Sequence, residues 1–260
     1  MTDFETRFEE SEKVVQMSQR PLRKNREHLA RLDKAVKEGK ITARDRDDLI
    51  SIELLRKKNE KERAKKDALT DPLTSLPNRR AFQIDFAELV KSRRPFGLLI
   101  GDLDHFGVFN KELGHLAGDS ALKQFGAIMK ANVREEVDDQ TNPDTISIMG
   151  KVGRYGGEEF VALIKDVSSV DDLFEVAERI RKAVSNQPFK VKDQNGTEVE
   201  RPVTISIGGG IYTPGENPKT FFRMVDKQAL YKAKGEGEAE GEGRNRTVIL
   251  PMRESAQRAA

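Results

Sequence analysis

Two pairs of acidic residues stand where a folded chain would expose them together. Glu158 and Glu159 follow two glycines in R-Y-G-G-E-E-F, and Asp102 and Asp104 end the apolar run P-F-G-L-L-I-G-D-L-D. Side chains two residues apart on a strand point to the same face, so both aspartates are expected at one rim of a sheet. If the hairpin that carries the glutamates lies beside this strand, up to four carboxylates converge, and they need a positive charge between them.

Hard divalent cations are the positive charge that carboxylates hold best. Mg²⁺ takes oxygen ligands, commonly one or two protein carboxylates together with substrate phosphates. In a two-metal arrangement, one ion activates an attacking hydroxyl and the other supports a triphosphate. Each acidic motif alone also occurs as a solvated turn, so the prediction of a Mg²⁺–phosphate site depends on their combination.

A second group of polar residues follows the same strand, within segment 110–119, which is predicted to be a loop whose glycines let the backbone approach a ligand closely. Asn110 offers an amide and Asp119 a carboxylate, and together they can read the edge of a purine. Guanine suits a carboxylate better than adenine does, because its N1–H and 2-amino donors lie side by side. Asp119 also precedes A-L-K-Q-F, where it could instead cap the start of a helix. The residue types leave both roles open and favour the guanine contact.

Strands and helices alternate from about residue 70 onward, which is typical of a mixed α/β domain with a central sheet. The first strand ends at the two aspartates, and a helix is predicted over about 118–133. Segment 145–164 predicts a β-hairpin whose turn is the glycine pair. The remaining pattern predicts a helix, a strand, a helix and a last strand, over 170–185, 201–212, 220–234 and 246–250.

Residues 1–69 are dense in charge and contain one proline and one glycine. Apolar residues recur every seven positions, but they occupy only about half of the two core positions of a heptad pattern. This allows a helical seam and does not predict a strong coiled coil. The first core position holds Phe8, Val15, Leu22, Leu29 and Val36, and the second holds Phe4 and Leu32. Gly39 is expected to end one helix, and Thr42 to cap another that runs to Lys66. The predicted helical hairpin is either a solvated connector or a dimerisation or signal-input module.

Composition narrows the class of protein. The 260 residues carry 46 Lys and Arg against 44 Asp and Glu, a net charge of +2 that calls for neither a nucleic-acid nor a membrane partner. There is no cysteine, so disulfides, thiolate catalysis and cysteine-ligated metals are excluded. The N-terminus lacks the apolar core of a signal peptide and no stretch is long enough to span a bilayer, so we expect a cytoplasmic protein.

Several motifs, in order along about residues 67–250, resemble the GGDEF family of diguanylate cyclases. They are T-D-P-L-T-S-L-P-N-R-R-A-F, D-L-D-H-F, N-x-x-x-G-H-x-x-G-D, R-Y-G-G-E-E-F, V-T-I-S-I-G and V-D-K-Q-A-L-Y-K-A-K. The resemblance implies an α/β (α+β) fold, in which a nucleotidyl-cyclase-like central mixed sheet is surrounded by helices and preceded by an N-terminal helical extension. It also implies that two domains meet face to face, each with one GTP, and form cyclic di-GMP and two pyrophosphates.

The resemblance assigns roles residue by residue. The implied ligands of two Mg²⁺ or Mn²⁺ ions per active site are Asp102, the backbone carbonyl of Leu103, Glu158 and Glu159. The two glutamates are also the implied catalytic residues and are treated as a unit. The implied GTP contacts are Phe106, Asn110, His115 and Asp119 around the base, and Lys234 and Arg244 at the phosphates. The domains are then a regulatory or dimerisation region over 1–69, a catalytic domain over 70–253 and a tail over 254–260. The first region would serve the homodimer or receive an upstream signalling protein.

The chain departs from the family pattern at three places. Gly107 stands where a phosphate-holding lysine is usual, and Lys111 could partly replace its charge. Ser147 and Gly150 occupy the positions of the family's R-x-x-D product-inhibition motif, so that inhibition is expected to be missing. The acidic segment G-E-G-E-A-E-G-E-G, residues 235–243, replaces a turn of two or three residues and is expected to be a flexible loop.

Two other functions are compatible with this sequence. One is a degenerate family member that binds a nucleotide or a protein without turnover. Gly107 and the acidic loop favour it, whereas the five intact site residues argue against it: Asp102, Asn110, Asp119, Glu158 and Glu159. The other is a cyclase that uses ATP, which in this family goes with serine at the position of Asp119. The retained aspartate favours GTP.

Overall fold

The structure is a computed structural model that describes residues 22–133, 150–167, 169–236 and 243–252. The described residues fall into two compact units, divided between Lys66 and Asp67. None of the helices in these ranges combines the length and the hydrophobicity needed to cross a membrane.

The first unit contains α1 (Leu22–Lys37) and all but the last three residues of α2 (Ala43–Leu69). Gly39, with φ of +70°, ends α1, and the amides of Gly39 and Lys40 bond back to the carbonyls of Val36 and Ala35 in a Schellman motif.

A capping box starts α2, because Thr42 Oγ1 accepts from the Asp45 amide while Asp45 Oδ2 accepts from the Thr42 amide. The predicted helix stop and cap are thus confirmed. The heptad positions before Leu22 lie outside the described residues.

The second unit is built on a five-stranded sheet in the order β2-β3-β1-β6-β7. The strands are β1 (Phe96–Leu103), β2 (Gly150–Gly156), β3 (Glu159–Lys165), β6 (Ile205–Tyr212) and β7 (Thr247–Ile249). The central strand β1 is antiparallel to both β3 and β6, and β7 is parallel to β6. Strands β4 (Phe189–Lys192) and β5 (Glu198–Arg201) form a separate two-stranded hairpin.

Helices cover both faces of the sheet. They are α3 (Arg79–Lys91), α4 (Phe106–Leu113), α5 (His115–Asn132), α6 (Val170–Ser185), α7 (Pro218–Met224) and α8 (Tyr231–Ala233), with a π-helical segment (Val225–Leu230) joining the last two. Every residue of β1 is buried, and alternate side chains enter different cores. Leu99 packs in one core with α5 and α6, whereas Leu98 packs in the other with α3 and α7. The predicted mixed sheet surrounded by helices is confirmed.

Three local predictions were wrong. The segment after β1 was expected to be a loop and forms α4, and α5 begins at His115 instead of about Gly118. Asp119 therefore lies inside α5, whose N-cap is Gly114, so the N-cap role for Asp119 is excluded. The strand predicted over 201–212 is interrupted near Pro202, which has no N–H for a ladder, and its two parts belong to different sheets.

Candidate active site

The glycine turn of the β2–β3 hairpin brings the glutamates to the end of β1. Gly157 adopts a φ of +50°, a left-handed conformation that favours glycine. Glu159 begins β3 directly opposite Asp102 of β1, and the carbonyl of Glu158 lies 3.5 Å from the Leu103 amide nitrogen. The convergence expected for Asp102, Glu158 and Glu159 is present.

This cluster of carboxylates is electrostatically crowded. Asp102 is only 4% exposed, and the pKa of its carboxyl is raised to about 6, chiefly by burial. Lys234 opposes this shift, since its Nζ lies 2.9 Å from Asp102 Oδ2, while the charges of both glutamates reinforce it. Burial also raises the pKa of Glu159, and the charge of Asp226 adds to that effect. A cation at this site would favour the ionised form of each carboxyl.

The donor set fits a hard divalent cation as a partial site. Within the described ranges, no three His, Cys, Asp or Glu side chains are arranged to hold a metal by themselves. Mg²⁺ does not require such a cage, because it keeps water and substrate phosphate oxygens beside one or two carboxylates. Asp102 with the adjacent Glu158 and Glu159 matches that requirement, and Lys234 can pair with a phosphate as well as with a carboxylate.

Asp104 does not join the cluster, contrary to the expected convergence of four carboxylates. Its carboxylate accepts hydrogen bonds from Thr204 Oγ1 and Ser206 Oγ, each at 2.7 Å, and from the Asn245 amide at 2.9 Å. A buried carboxylate with three donors is already satisfied. Asp104 therefore joins the end of β1 to the start of β6 and to the segment that carries Arg244.

Arg244 stays beside the site in spite of the preceding acidic segment. Its amide donates to the carbonyl of Ala233 at 2.9 Å, and its Nη1 lies 3.7 Å from Asp104 Oδ1. The base of the acidic loop is closed, since a Cβ on Gly243 would lie only 2.3 Å from the Cα of Gly235. Residues 237–242, the middle of this loop, lie outside the described residues.

Lys234 is positioned by a close contact between a helix and the sheet. A Cβ on Gly208 of β6 would lie 2.3 Å from the Leu230 nitrogen, so only glycine lets the π-helical segment pack this closely. The Lys234 amide in turn donates to the Leu230 carbonyl at 2.9 Å. The π-helical segment therefore fixes the position from which the Lys234 side chain contacts Asp102.

The predicted base-reading residues lie on α4 and α5. Asn110 packs against Gly118, where a Cβ would lie 1.8 Å from Asn110 Oδ1, and this oxygen is buried without a hydrogen-bond partner. Asp119 follows Gly118 on α5, and His115 is the first residue of that helix. Phe106 is buried in the core, where its ring stacks on Phe109 with centroids 6.0 Å apart. A buried amide oxygen without a partner is unusual, and this one lies against Gly118, the residue before Asp119 on α5.

Sequence reasoning missed a brace behind the glycine turn. Arg154 Nε donates to the Gly157 carbonyl at 2.9 Å, and its Nη1 lies 3.2 Å from Asp71 Oδ1. Thr74 donates to the same carboxylate from its amide and its hydroxyl, at 2.8 and 2.7 Å. Partial burial raises the pKa of Asp71, but the bonds from Thr74 and Arg154 outweigh it and lower the pKa below its usual value. In the sequence, the residues that form these contacts lie in the motifs T-D-P-L-T and R-Y-G-G, which could have indicated them.

Known proteins match the part of the chain that carries this site. A family model described as "Diguanylate cyclase, GGDEF domain" matches residues 68–240, more than half of the 260-residue chain. The diguanylate cyclase DgcP of Pseudomonas aeruginosa is 34% identical over 173 residues, which cover 64% of this chain and 22% of that protein. The response regulator PleD of Caulobacter vibrioides is 36% identical over 172 residues, covering 64% of this chain and 34% of that protein. The chain thus matches only a minor part of the length of either relative.

A solved structure shares the fold. The coiled coil and GGDEF domain of DgcB from Caulobacter crescentus, in complex with c-di-GMP, is similar to this chain with a TM-score of 0.62 and 28% identity. The match covers 80% of this chain and 98% of that one.

Proposed function

The chain belongs to the GGDEF family of diguanylate cyclases, and from that premise we propose that it condenses two GTP molecules into cyclic di-GMP and two pyrophosphates. The observation that best supports this activity is the position of Glu159 opposite Asp102, with Glu158 in the adjoining turn. Lys234 lies within 2.9 Å of the same aspartate. Carboxylates and a lysine at one point are what a metal-bound triphosphate requires.

We propose that the carboxylates and one backbone carbonyl hold the divalent cations, Mg²⁺ or Mn²⁺, two per active site. The ligands are Asp102, Glu158, Glu159 and the carbonyl of Leu103. When bound, the ions neutralise phosphate charge and favour ionisation of the attacking hydroxyl. Glu158 and Glu159 act as a unit that holds this charge and helps to activate the 3′-hydroxyl.

The remaining proposed contacts orient GTP. Asn110 and Asp119 bind the guanine edge, with His115 nearby, and Lys234 and Arg244 exchange their carboxylate partners for phosphate oxygens. Phe106 supports this subsite from within the core. Selectivity for GTP follows from Asp119, because a carboxylate accepts from both N1–H and the 2-amino group.

The reaction requires two protomers. Each 3′-hydroxyl attacks the α-phosphate of the GTP on the other protomer, so a homodimer holds nucleophile and phosphate in line as each pyrophosphate leaves. In this proposal the first unit of the chain supports the dimer or takes a signal from an upstream protein. Exposed apolar residues on α2, such as Leu49, Ile52 and Leu55, are consistent with a protein contact there.

Removing the first unit is expected to weaken both dimerisation and turnover. A chain beginning at residue 68 should need a higher protein concentration than the full chain for half-maximal activity per protomer. Sedimentation and product formation, measured over the same concentration range, test this. A shortened chain that is equally dimeric and fully active would refute the role.

Feedback through the R-x-x-D motif is expected to be absent. No carboxylate fits at Gly150, because a Cβ there would lie 2.6 Å from Val133 Cγ1 and 2.8 Å from the Leu163 carbonyl oxygen. Cyclic di-GMP added to a turnover assay should therefore leave the maximal rate unchanged. Strong noncompetitive inhibition would contradict this prediction.

The test of the proposed activity is direct. Purified full chain is incubated with Mg²⁺ and GTP, in parallel with an ATP-containing sample, and products are identified by chromatography and mass spectrometry. Cyclic di-GMP is expected from GTP alone. No product at dimer-forming concentrations, together with tight GTP binding, would identify a nucleotide-binding module instead.

A further inference from the structure

The β4–β5 hairpin lies outside the main sheet and is attached to the two helices that carry Asn110 and Asp119. On the α5 side, Gln124 Nε2 donates to the Lys190 carbonyl at 2.8 Å, and the Lys190 amide donates to Gln124 Oε1 at 3.2 Å. On the α4 side, Arg201 Nη2 lies 3.2 Å from Glu112 Oε2. The hairpin therefore bridges α4 and α5.

The tip of this hairpin is locally fixed. Asp193 Oδ1 accepts from the amides of Asn195 and Thr197, at 2.8 and 2.9 Å. The Asp193 amide donates to the Thr197 carbonyl at 2.9 Å, and Gly196 turns the chain with a φ of +80°. A tip held by three such bonds presents Gln194 in a defined position.

Gln194 rests on the junction between α4 and α5. This junction is Gly114, whose φ of +90° and ψ of 160° make it the end of one helix and the start of the next. A Cβ on Gly114 would lie 2.8 Å from Gln194 Cγ, so the aliphatic part of Gln194 covers the glycine directly.

Gly114 controls how the two helices meet. Its amide donates to the Asn110 carbonyl at 2.9 Å, and its carbonyl accepts from the Gly118 amide at 3.1 Å. A shift at Gly114 is thus passed to Asn110 on one side and to the turn before Asp119 on the other. Glycine has more freedom at this point than any other residue, so its conformation depends on what packs against it.

We propose that Gln194 is a positioning residue for base recognition, which the β4–β5 hairpin holds against Gly114 so that Asn110 and Asp119 keep their spacing. The inference rests on the proposed function, since it concerns the guanine subsite of the cyclase. Gln194 acts through the α4–α5 junction and needs no contact with the nucleotide. A small displacement of the groups that bind a base lowers the affinity for the correct base more than the affinity for other bases.

The test compares two nucleotides that cannot turn over. 3′-Deoxy-GTP lacks the attacking hydroxyl, and 3′-deoxy-ITP in addition lacks the 2-amino group that an Asp119 carboxylate would accept from. Calorimetry with Mg²⁺ gives the dissociation constant of each for the full chain, for Gln194→Ala and for Asn195→Ala. Asn195 is the matched control, because it is exposed at the same tip of the hairpin, while the three atoms nearest to a Cβ on Gly114 all belong to Gln194.

Gln194→Ala is expected to weaken 3′-deoxy-GTP binding about fivefold, the scale of one lost supporting contact, with a smaller effect on 3′-deoxy-ITP. Gln124→Leu, which removes the hydrogen bonds between the hairpin and α5, should change the ratio of the two dissociation constants in the same direction. Asn195→Ala should leave it unchanged, and thermal unfolding establishes that each variant is folded.

The outcomes separate this inference from the activity on which it rests. An unchanged preference for the guanine nucleotide in folded Gln194→Ala and Gln124→Leu would overturn the role of the hairpin and leave the cyclase proposal intact. A full chain that binds both nucleotides equally, or neither, would overturn the guanine subsite, and the role of Gln194 with it.

Discussion

Glu159→Gln is expected to reduce cyclic di-GMP formation by about 10² to 10⁴-fold, the range typical for loss of a general base or a metal-supporting carboxylate. Glutamine keeps the size of the side chain and removes its charge. Glu159 lies directly opposite Asp102 and shares a half-buried cluster in which its pKa is raised by burial and by Asp226. Removing the charge therefore relieves repulsion in the protein while it removes one of the proposed ligands for the divalent cations.

Glu159→Gln should lower the rate of product formation without lowering the stability of the folded state. The free energy of unfolding of Glu159→Gln, measured without metal, should equal or exceed that of the unaltered chain, because one of several crowded carboxylates is gone. Glu158→Gln tests the second member of the unit, and Glu175→Gln, an exposed position on α6, is the matched control. Product formation by Glu159→Gln within tenfold of the unaltered rate would exclude the proposed role.

Features that depend on neighbouring residues were predictable from the sequence. Three such features are the glycine turn, the end of β1 and the Thr42 cap. Each depends on residues a few positions apart, whose local geometry determines the structure. The approach of Glu158 and Glu159 to Asp102 was predicted only on the condition that the hairpin lies beside β1, and the pairing of β3 with β1 meets that condition.

Contacts between distant parts of the chain were not predictable. Asp104 is satisfied by Thr204 and by Asn245, residues 100 and 141 positions away, so its pattern resembled a metal ligand as closely as that of Asp102 did. The Arg154–Asp71 pair joins residues 83 positions apart. Tertiary partners of this kind decide whether a carboxylate is available to a ligand or already occupied.

The α4–α5 junction shows why the base subsite was only partly predicted. The glycines of this segment were interpreted as part of a loop whose backbone a ligand can approach closely. The structure gives two of them a reason to be glycine, since Gly114 has a φ of +90° and a Cβ on Gly118 would meet the side chain of Asn110, whereas Gly107 has open space around it. The contact between Gly118 and Asn110 therefore fixes where the Asn110 amide lies in the candidate site.

Gly118→Ala is expected to weaken GTP binding by about tenfold, the scale of one lost hydrogen bond to the base. The new Cβ would lie 1.8 Å from Asn110 Oδ1 and 2.9 Å from Asn110 Cγ, so the amide must leave its position. Phe106 Cζ, 3.2 Å from the same point, limits any shift of α4 in response. The amide group proposed to contact the base is then displaced from its position against Gly118.

The stability of Gly118→Ala should change little, which separates loss of the site from loss of the fold. Alanine gains about 1 kcal/mol over glycine inside a helix, and this gain offsets part of the strain at Asn110. Gly126→Ala is the matched control on α5, because its Cβ would meet Leu76 Cδ1 at 3.2 Å and lies away from Asn110. Calorimetry with 3′-deoxy-GTP and thermal unfolding measure both effects. Binding by Gly118→Ala within threefold of the unaltered chain would show that the position of the Asn110 amide does not determine nucleotide affinity.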